Sequence, residues 1–96
     1  MLFVIHAFDK KDGGLETRLK NYDAHKAFLS DTSAHGVTIV MSGPLVADDG
    51  ETMIGSLFVV DAPDRETIER FNKADPFYAA GVWETKTITG FLKRQG

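Results

Sequence analysis

The chain of 96 residues predicts one domain, because chains of about this length build a single hydrophobic core. Its composition, 43% hydrophobic and 26% charged, is that of a globular protein and excludes a disordered, collagen-like or solenoid chain. The absence of cysteine excludes disulfides, thiol nucleophiles and zinc–thiolate sites.

The net charge of −3, from 11 basic and 14 acidic residues, predicts no basic surface for nucleic acid. The apolar stretches are far shorter than the roughly 18 residues that span a bilayer, so we expect no membrane association. The apolar segment Leu2–Ile5 follows Met1 with no basic region before it, which is not the pattern of a signal peptide. Together with the lack of cysteine, these features favour a cytoplasmic location.

The first third of the chain predicts a strand followed by helical structure. Leu2–Phe8 is a short apolar run of the kind that forms strands, and the glycine-rich segment Asp9–Gly14 ends it. Leu15–Ala34 has apolar residues at helical spacing. It predicts either one long helix or a short turn followed by a helix that begins near Ala24, with Asp23 as its N-cap.

A β-hairpin is predicted next. Val37–Ser42 and Ile54–Asp61 are apolar runs of strand length. The segment between them, Gly43–Glu51, begins with Gly-Pro and contains Asp-Gly near its end, which predicts a long hairpin loop.

The last third predicts a second helix and a final strand. Asp64 is placed to cap a helix over Arg65–Lys73. Asp75-Pro76 ends that helix, because the residue before proline avoids the helical region. Phe77–Ala80 has the length of one further helical turn, and Val82–Leu92 reads as a strand rich in threonine and aromatic residues.

This element order is βαββαβ. Two such halves packed as one antiparallel sheet, with both helices on one face, give a ferredoxin-like α+β fold.

The predicted sheet has no clearly polar face. In the first strand, Leu2, Val4, His6 and Phe8 lie on one face, and Phe3, Ile5 and Ala7 lie on the other. In the second strand, simple alternation puts Val37, Ile39 and Met41 opposite Thr38, Val40 and Ser42. Two helices cover only one face of a sheet, and large exposed apolar surfaces are uncommon on monomers. We therefore expect a homodimer in which a second copy covers the other face.

The chemistry must come from histidines, carboxylates and hydroxyls, since the common nucleotide, metal and nucleophile motifs are absent. The three histidines show no i, i+4 pairing, so no metal site is predicted. Viewed down the axis of the predicted helix, His25 lies at an angle between those of Phe28 and Leu29, inside the apolar arc. A neutral imidazole there suits general-base catalysis if a second group fixes its tautomer. The alternative is a partly buried histidine bonded to a backbone carbonyl.

Asp75 also has two interpretations. With Pro76 at the first helical position it forms a common N-cap arrangement, and capping alone would explain it. The same carboxylate could orient a histidine. Ser42 and Gly43 could bring a backbone amide against a ligand, or form only a bend.

Several segments together resemble the YCII-related (YciI-like) family. They are the opening strand Leu2–Ile5, the segment Ala24–Leu29, the turn Ser42-Gly43-Pro44-Leu45 and the segment Asp75–Val82. The resemblance spans nearly the whole chain. It implies a ferredoxin-like fold that dimerises sheet to sheet as a dimeric α+β barrel.

The resemblance also implies a site centred on a histidine–aspartate pair. By position these are His25 and Asp75, and Gly43 matches a glycine beside the pocket. Tyr22 stands where many members carry arginine, and Arg18 lies one helical turn before it. Related proteins include a dehydrochlorinase of chlorinated hydroxyquinol-type aromatics, and the fold is similar to that of muconolactone isomerase.

We therefore hypothesise a small cofactor-independent lyase or isomerase that moves protons on a small cyclic or aromatic substrate. His25 would be the general base and Asp75 its orienting partner. The substrate-binding residues would be Ser42, Gly43, Phe28, Phe77 and Tyr78. Two alternatives are a non-catalytic dimer that binds a small ligand or regulates a partner, and a cofactor-free monooxygenase.

Overall fold

The computed structural model describes residues 1–96 and confirms the α+β, ferredoxin-like architecture. In chain order its elements are β1 (Leu2–Asp9), α1 (Gly14–Lys20), α2 (Tyr22–Ser30), a 3₁₀ turn (Ser33–His35), β2 (Thr38–Val46), β3 (Met53–Asp61), α3 (Arg65–Ala74), α4 (Pro76–Ala79) and β4 (Trp83–Phe91). The four strands form one antiparallel sheet in the order β2-β3-β1-β4. This is the order expected when two βαβ halves interleave their strands.

The hydrophobic core lies between the sheet and the helices. Alternate residues of β1 are buried, and their partners on β3 share that face because Ile5 pairs with Phe58 and Phe3 with Val60. Ile68, from α3, is fully buried against this inner face. One face of the sheet is therefore covered by helices, as predicted.

The helical segment before β2 is divided at Asn21. Both sequence interpretations were incomplete: α1 ends at Lys20, and α2 begins at Tyr22 rather than near Ala24. Asp23 lies within α2 and does not cap it. The Asn21 side-chain amide donates to the Thr17 carbonyl at 2.9 Å. Such local side-chain bonding competes with regular helical bonding and explains the break at an asparagine.

Strand β2 is longer than predicted. It runs to Val46, so Gly43 and Pro44 belong to the strand, and the loop of the hairpin is confined to residues 47–52. Proline is compatible with this assignment because β2 lies at the edge of the sheet. The Gly-Pro pair is typical of turns, so the sequence predicted a loop at residues that the structure shows to continue the edge strand.

A β-bulge at Val40 changes which residues of β2 face the helices. Ile39 pairs with Val60, but Met41 pairs with Val59, so Val40 is the extra residue. Simple alternation placed Met41 on the same face as Ile39, and this was wrong. Ser42, opposite Phe58, shares the inner face with Ile39 instead.

Two aspartates cap the helices of the second half as predicted. The Asp64 carboxylate accepts a hydrogen bond from the Thr67 amide at 2.8 Å and begins α3. Hydrogen bonds from the Thr67 side chain and amide hold the pKa of Asp64 below its usual range. Asp75 accepts from the Phe77 amide at 2.9 Å and begins α4, with Pro76 at its first position. None of the four helices has the length and apolarity needed to cross a bilayer.

We predict that Gly55→Ala strongly destabilises the fold. Gly55 lies in β3 opposite Phe8, and a Cβ there would overlap the Ala7 carbonyl oxygen and approach Leu45 Cδ1 to 2.9 Å. Backbone cannot move aside cheaply, so the free energy of unfolding should fall by about 2 kcal/mol or more in urea titrations.

Gly43→Ala is the matched control for this substitution, because a Cβ at Gly43 meets no atom within 4 Å. Its urea midpoint should stay close to that of the wild type. Equal midpoints for the two variants would show that the close approach at Gly55 is not a constraint on the sheet.

Candidate functional site

His25 and Asp75 form a buried hydrogen-bonded pair. His25 Nδ1 lies 2.8 Å from Asp75 Oδ1, across 50 residues of sequence. The side chains are 10% and 1% exposed. Helix α2 presents His25 to the core, and the break between α3 and α4 places Asp75 opposite it. The two residues that the sequence singles out are therefore brought together.

Asp75 caps α4 and holds His25 with the same oxygen. Oδ1 accepts from both the Phe77 amide and the imidazole. Oδ2 is sealed from solvent and has no hydrogen-bond partner. The capping interpretation and the orienting interpretation are thus both compatible with the geometry.

The hydrogen bond assigns the tautomer of the neutral imidazole. Because Asp75 Oδ1 is an acceptor, the proton of the ring belongs on Nδ1, and Nε2 carries the free lone pair. Nε2 has no protein partner. The only sealed side-chain nitrogen and oxygen atoms without partners are Asn72 Nδ2 and Asp75 Oδ2, so Nε2 is open to the solvent side. This is the arrangement that a general base requires.

Aromatic rings fix the plane of the imidazole. The His25 ring stacks on Phe77 with centroids 3.9 Å apart and planes within 7°. Phe58 meets it edge-on at 6.0 Å. The stack on Phe77 and the hydrogen bond to Asp75 together hold the ring in one orientation, so the lone pair of Nε2 points in one fixed direction.

His25 lines a small cavity between α1–α2 and the β2–β3 hairpin, with a volume of about 200 Å³, and Nε2 is its only ring nitrogen without a protein partner. The lining residues are Arg18, Tyr22, His25, Lys26, Leu29, Ser42, Gly43, Pro44, Ser56 and Phe58. Pockets for drug-sized ligands measure roughly 300–1,000 Å³, so this one suits a single small ring or a short acid.

The cavity also contains a buried arginine that the sequence interpretation did not assign to the site. Arg18 is 2% exposed, and its Nε and Nη2 donate to the two oxygens of Asp9 at 2.7 and 2.8 Å. Nη2 also donates to Ser56 Oγ at 2.7 Å. The available signal was an arginine on the apolar side of a helix, one turn after Leu15, with a lone aspartate at the end of the preceding apolar strand.

Ser42 and Gly43 line the cavity, on the wall opposite α2. Ser42 faces inward because of the bulge at Val40. A Cβ added at Gly43 would meet no atom within 4 Å, so no other group of the protein approaches the backbone closely on that side of the residue.

Phe28 and Tyr78 lie away from the cavity, although the sequence grouped them with it. Phe28 packs against His35 and Phe71, with ring centroids at 4.9 and 5.2 Å. Tyr78 carries Lys86 Nζ over its ring at 4.7 Å. Helical periodicity alone does not tell which part of the core a buried aromatic residue fills.

A larger depression of about 680 Å³ lies at one end of the sheet, near Phe8, Leu15 and Ile54. No histidine lines it, and Asp9 is the only buried polar residue among its lining residues. We therefore take the smaller cavity, where oriented polar groups converge, as the candidate site.

Comparisons with known proteins agree with this fold. The family model for the YCII-related domain matches residues 1–92. Protein YciI of Escherichia coli O6:H1 is 35% identical over 98 residues, which cover 97% of this chain and 98% of that protein. Protein YciI of Shigella flexneri matches with the same identity and coverage.

Among solved structures, 5-chloro-2-hydroxyhydroquinone dehydrochlorinase from Burkholderia phenoliruptrix, in complex with 2,5-dihydroxybenzoquinone, is similar with a TM-score of 0.82. It is 30% identical, and the match covers 96% of this chain and 94% of that one. An antibiotic biosynthesis monooxygenase shares the fold at a TM-score of 0.51, 16% identity and coverage of 97% and 100%.

We predict that Asp75→Asn weakens the hydrogen bond at His25 Nδ1, because a neutral amide oxygen accepts less strongly than a carboxylate does. Asparagine is about as good an N-cap as aspartate, so α4 should persist. The cap keeps the amide oxygen in the place of Oδ1, the atom that accepts from both the Phe77 amide and the imidazole. The ¹H and ¹⁵N chemical shifts of the Nδ1–H group measure the change directly.

Asp64→Asn is the matched control, since Asp64 caps α3 and bonds no histidine. The His25 signals should be the same in this variant as in the wild type. Unchanged His25 signals in Asp75→Asn would mean that Asp75 is only a helix cap.

Proposed function

The chain belongs to the YCII-related family, and on that premise we propose that it is a small cofactor-independent enzyme, a lyase or isomerase that moves a proton on a small cyclic or aromatic substrate. One observation carries the proposal. The imidazole of His25 has its inner nitrogen held by Asp75 and its outer nitrogen without a protein partner, and His25 lines a cavity of small-molecule size.

In this proposal His25 Nε2 removes a proton from the substrate and later returns or releases it. As the imidazole becomes an imidazolium, the Asp75 carboxylate 2.8 Å away stabilises the new charge. A positioned acid–base group of this kind contributes roughly 10²–10⁴-fold to a rate. That is sufficient for an activated carbon acid or phenol, in which the substrate itself delocalises the electrons.

The electron pair left by the proton determines the type of reaction. In an elimination the ring is first protonated at the carbon that bears chlorine. Removal of a hydroxyl proton then sends an electron pair through the ring that expels chloride, so that one proton and one chloride leave overall. In an isomerisation the pair is reprotonated at another carbon. The similarity to a dehydrochlorinase of 5-chloro-2-hydroxyhydroquinone favours the elimination as the first reaction to test.

We also propose that the protein is a homodimer joined through the outer face of the sheet. That face carries apolar side chains from several strands, among them Phe8, which is 44% exposed, and Met41, which is 61% exposed. Val4 pairs with Val59 at its centre, and both are half-buried without a covering element. A second copy presents the same apolar face, which satisfies the requirement for self-complementarity in a two-fold dimer.

We predict that the wild type releases chloride from 5-chloro-2-hydroxyhydroquinone and that His25→Gln lowers kcat/KM by about 10²–10⁴-fold, because the base is lost. Chloride release and quinone absorbance measure the reaction under argon. His35→Gln is the control, since His35 packs beside Phe28 away from the cavity.

Three results would contradict the proposal. Chloride release at the same rate without His25 would show that His25 is not the general base. Turnover that requires oxygen would support the monooxygenase alternative. Binding of the substrate with neither chloride release nor solvent deuterium exchange into the substrate would support a ligand-binding protein.

A separate prediction concerns the dimer. Light scattering at micromolar concentration should give the mass of two chains for the wild type and of one chain for Val59→Lys, because the lysine places a charge at the centre of the outer face. Leu19→Lys changes an exposed apolar residue on α1, on the other side of the sheet, and should remain dimeric. A monomeric wild type would contradict the dimer.

A further inference from the structure

The guanidinium of Arg18 has two N–H groups that no protein atom uses. A guanidinium has five N–H donors. Three of them are bonded: Nε to Asp9, and Nη2 to Asp9 and to Ser56. The two that remain are both on Nη1.

These two donors are accessible from the cavity. A sealed Nη1 without a partner would be an unsatisfied buried atom, and the unsatisfied sealed atoms are only Asn72 Nδ2 and Asp75 Oδ2. Nη1 is therefore open, and the cavity that Arg18 lines is the one that His25 also lines. The same Phe77 ring contacts both residues: His25 stacks on it, and Arg18 Cζ lies 4.8 Å from its centroid.

Ser56 adds a further donor. Its Oγ accepts from Arg18 Nη2 at 2.7 Å and from Trp83 Nε1 at 3.3 Å. With its oxygen used as an acceptor twice, the hydroxyl proton is left to donate, and Ser56 also lines the cavity. Arg18 Nη1 and Ser56 Oγ together form what we call the donor corner.

The donor corner is built in advance. The bidentate bond to Asp9 and the bond to Ser56 fix the plane of the guanidinium, so little side-chain freedom is lost when a ligand binds. The corner offers only donors, and a partner that accepts several hydrogen bonds at once is an oxygen anion.

We propose that the donor corner binds a negatively charged oxygen of the substrate, so that the substrates of this site are small oxyanions: phenolates, enolates or hydroxyquinone anions. This inference rests on the proposed function of His25 and specifies its substrate class. When His25 removes a proton from a ring, negative charge develops on the conjugated ring oxygen, and a preorganised cationic donor stabilises that charge.

The test compares the binding of two ligands of matched size. 2,5-Dihydroxybenzoquinone is an anion at neutral pH, whereas 2,5-dimethylbenzoquinone has the same ring with methyl groups and no charge. Wild-type protein should bind the anion about 10–100-fold more tightly by calorimetry, as expected for hydrogen bonds to a charged group. In arginine-selective ¹⁵N spectra of the wild type, the Nη1 signal of Arg18 should shift with the anion and not with the neutral ligand.

Two variants locate the effect. Arg18→Lys keeps a cation beside Asp9 but has no Nη1, and it should reduce the preference for the anion to about threefold or less. Ser56→Ala leaves the Asp9–Arg18 pair in place and should weaken anion binding by about 3–10-fold. If Arg18→Lys does not fold, the affinity of Ser56→Ala for the anion and the Arg18 Nη1 signal of the wild type still test the proposal.

Lys26→Met is the matched control, because Lys26 is an exposed cation at the same cavity. Loss of the anion preference in Lys26→Met with an unmoved Arg18 Nη1 signal would overturn the proposal, as would equal binding of the two quinones by the wild type. Binding is measured without turnover. A protein that prefers the anion but shows no His25-dependent chemistry would retain the donor corner and contradict only the proposed reaction.

Discussion

The structure depends on one carboxylate oxygen at the junction of α3 and α4. Asp75 Oδ1 receives both the amide that begins α4 and the imidazole of a helix 50 residues earlier in the chain. The hydrogen bond therefore joins the two βαβ halves at the level of the cavity. Because the residue is 1% exposed, neither partner can be replaced by water, and a change at this position affects helix geometry and histidine orientation together.

The Arg18–Asp9 pair is better understood as a device for orientation than for stability. Removing two charges from water is costly, and well-packed apolar residues commonly stabilise a fold as well or better than a buried ion pair does. What the pair supplies is a guanidinium whose plane is fixed by three hydrogen bonds. Phe77 lies against both Arg18 and His25, so a single aromatic ring in the short helix α4 supports both polar groups.

Local signals in the sequence were sufficient for the element order, the sheet topology and the choice of His25 and Asp75 as candidates, whereas their pairing was implied by the family resemblance. An apolar arc that includes a histidine, and an aspartate before proline, each have a physical cause within a few residues. The break at Asn21, the bulge at Val40 and the burial of Arg18 depend on partners elsewhere in the chain. Periodicity treats every strand as regular and every arginine as exposed, so it could not predict them.

The bulge at Val40 has a consequence for how such a site changes over evolution. Because residues of a regular strand alternate between its two faces, pairing Val40 with Val59, with no bulge, would exchange every later side chain of β2 between the cavity and the outer face of the sheet. The wall that Ser42 provides would then be made by its neighbour, with no change in the helices. A relative can therefore acquire a different cavity wall by forming or losing a bulge in an edge strand, while its histidine, aspartate and arginine stay where they are.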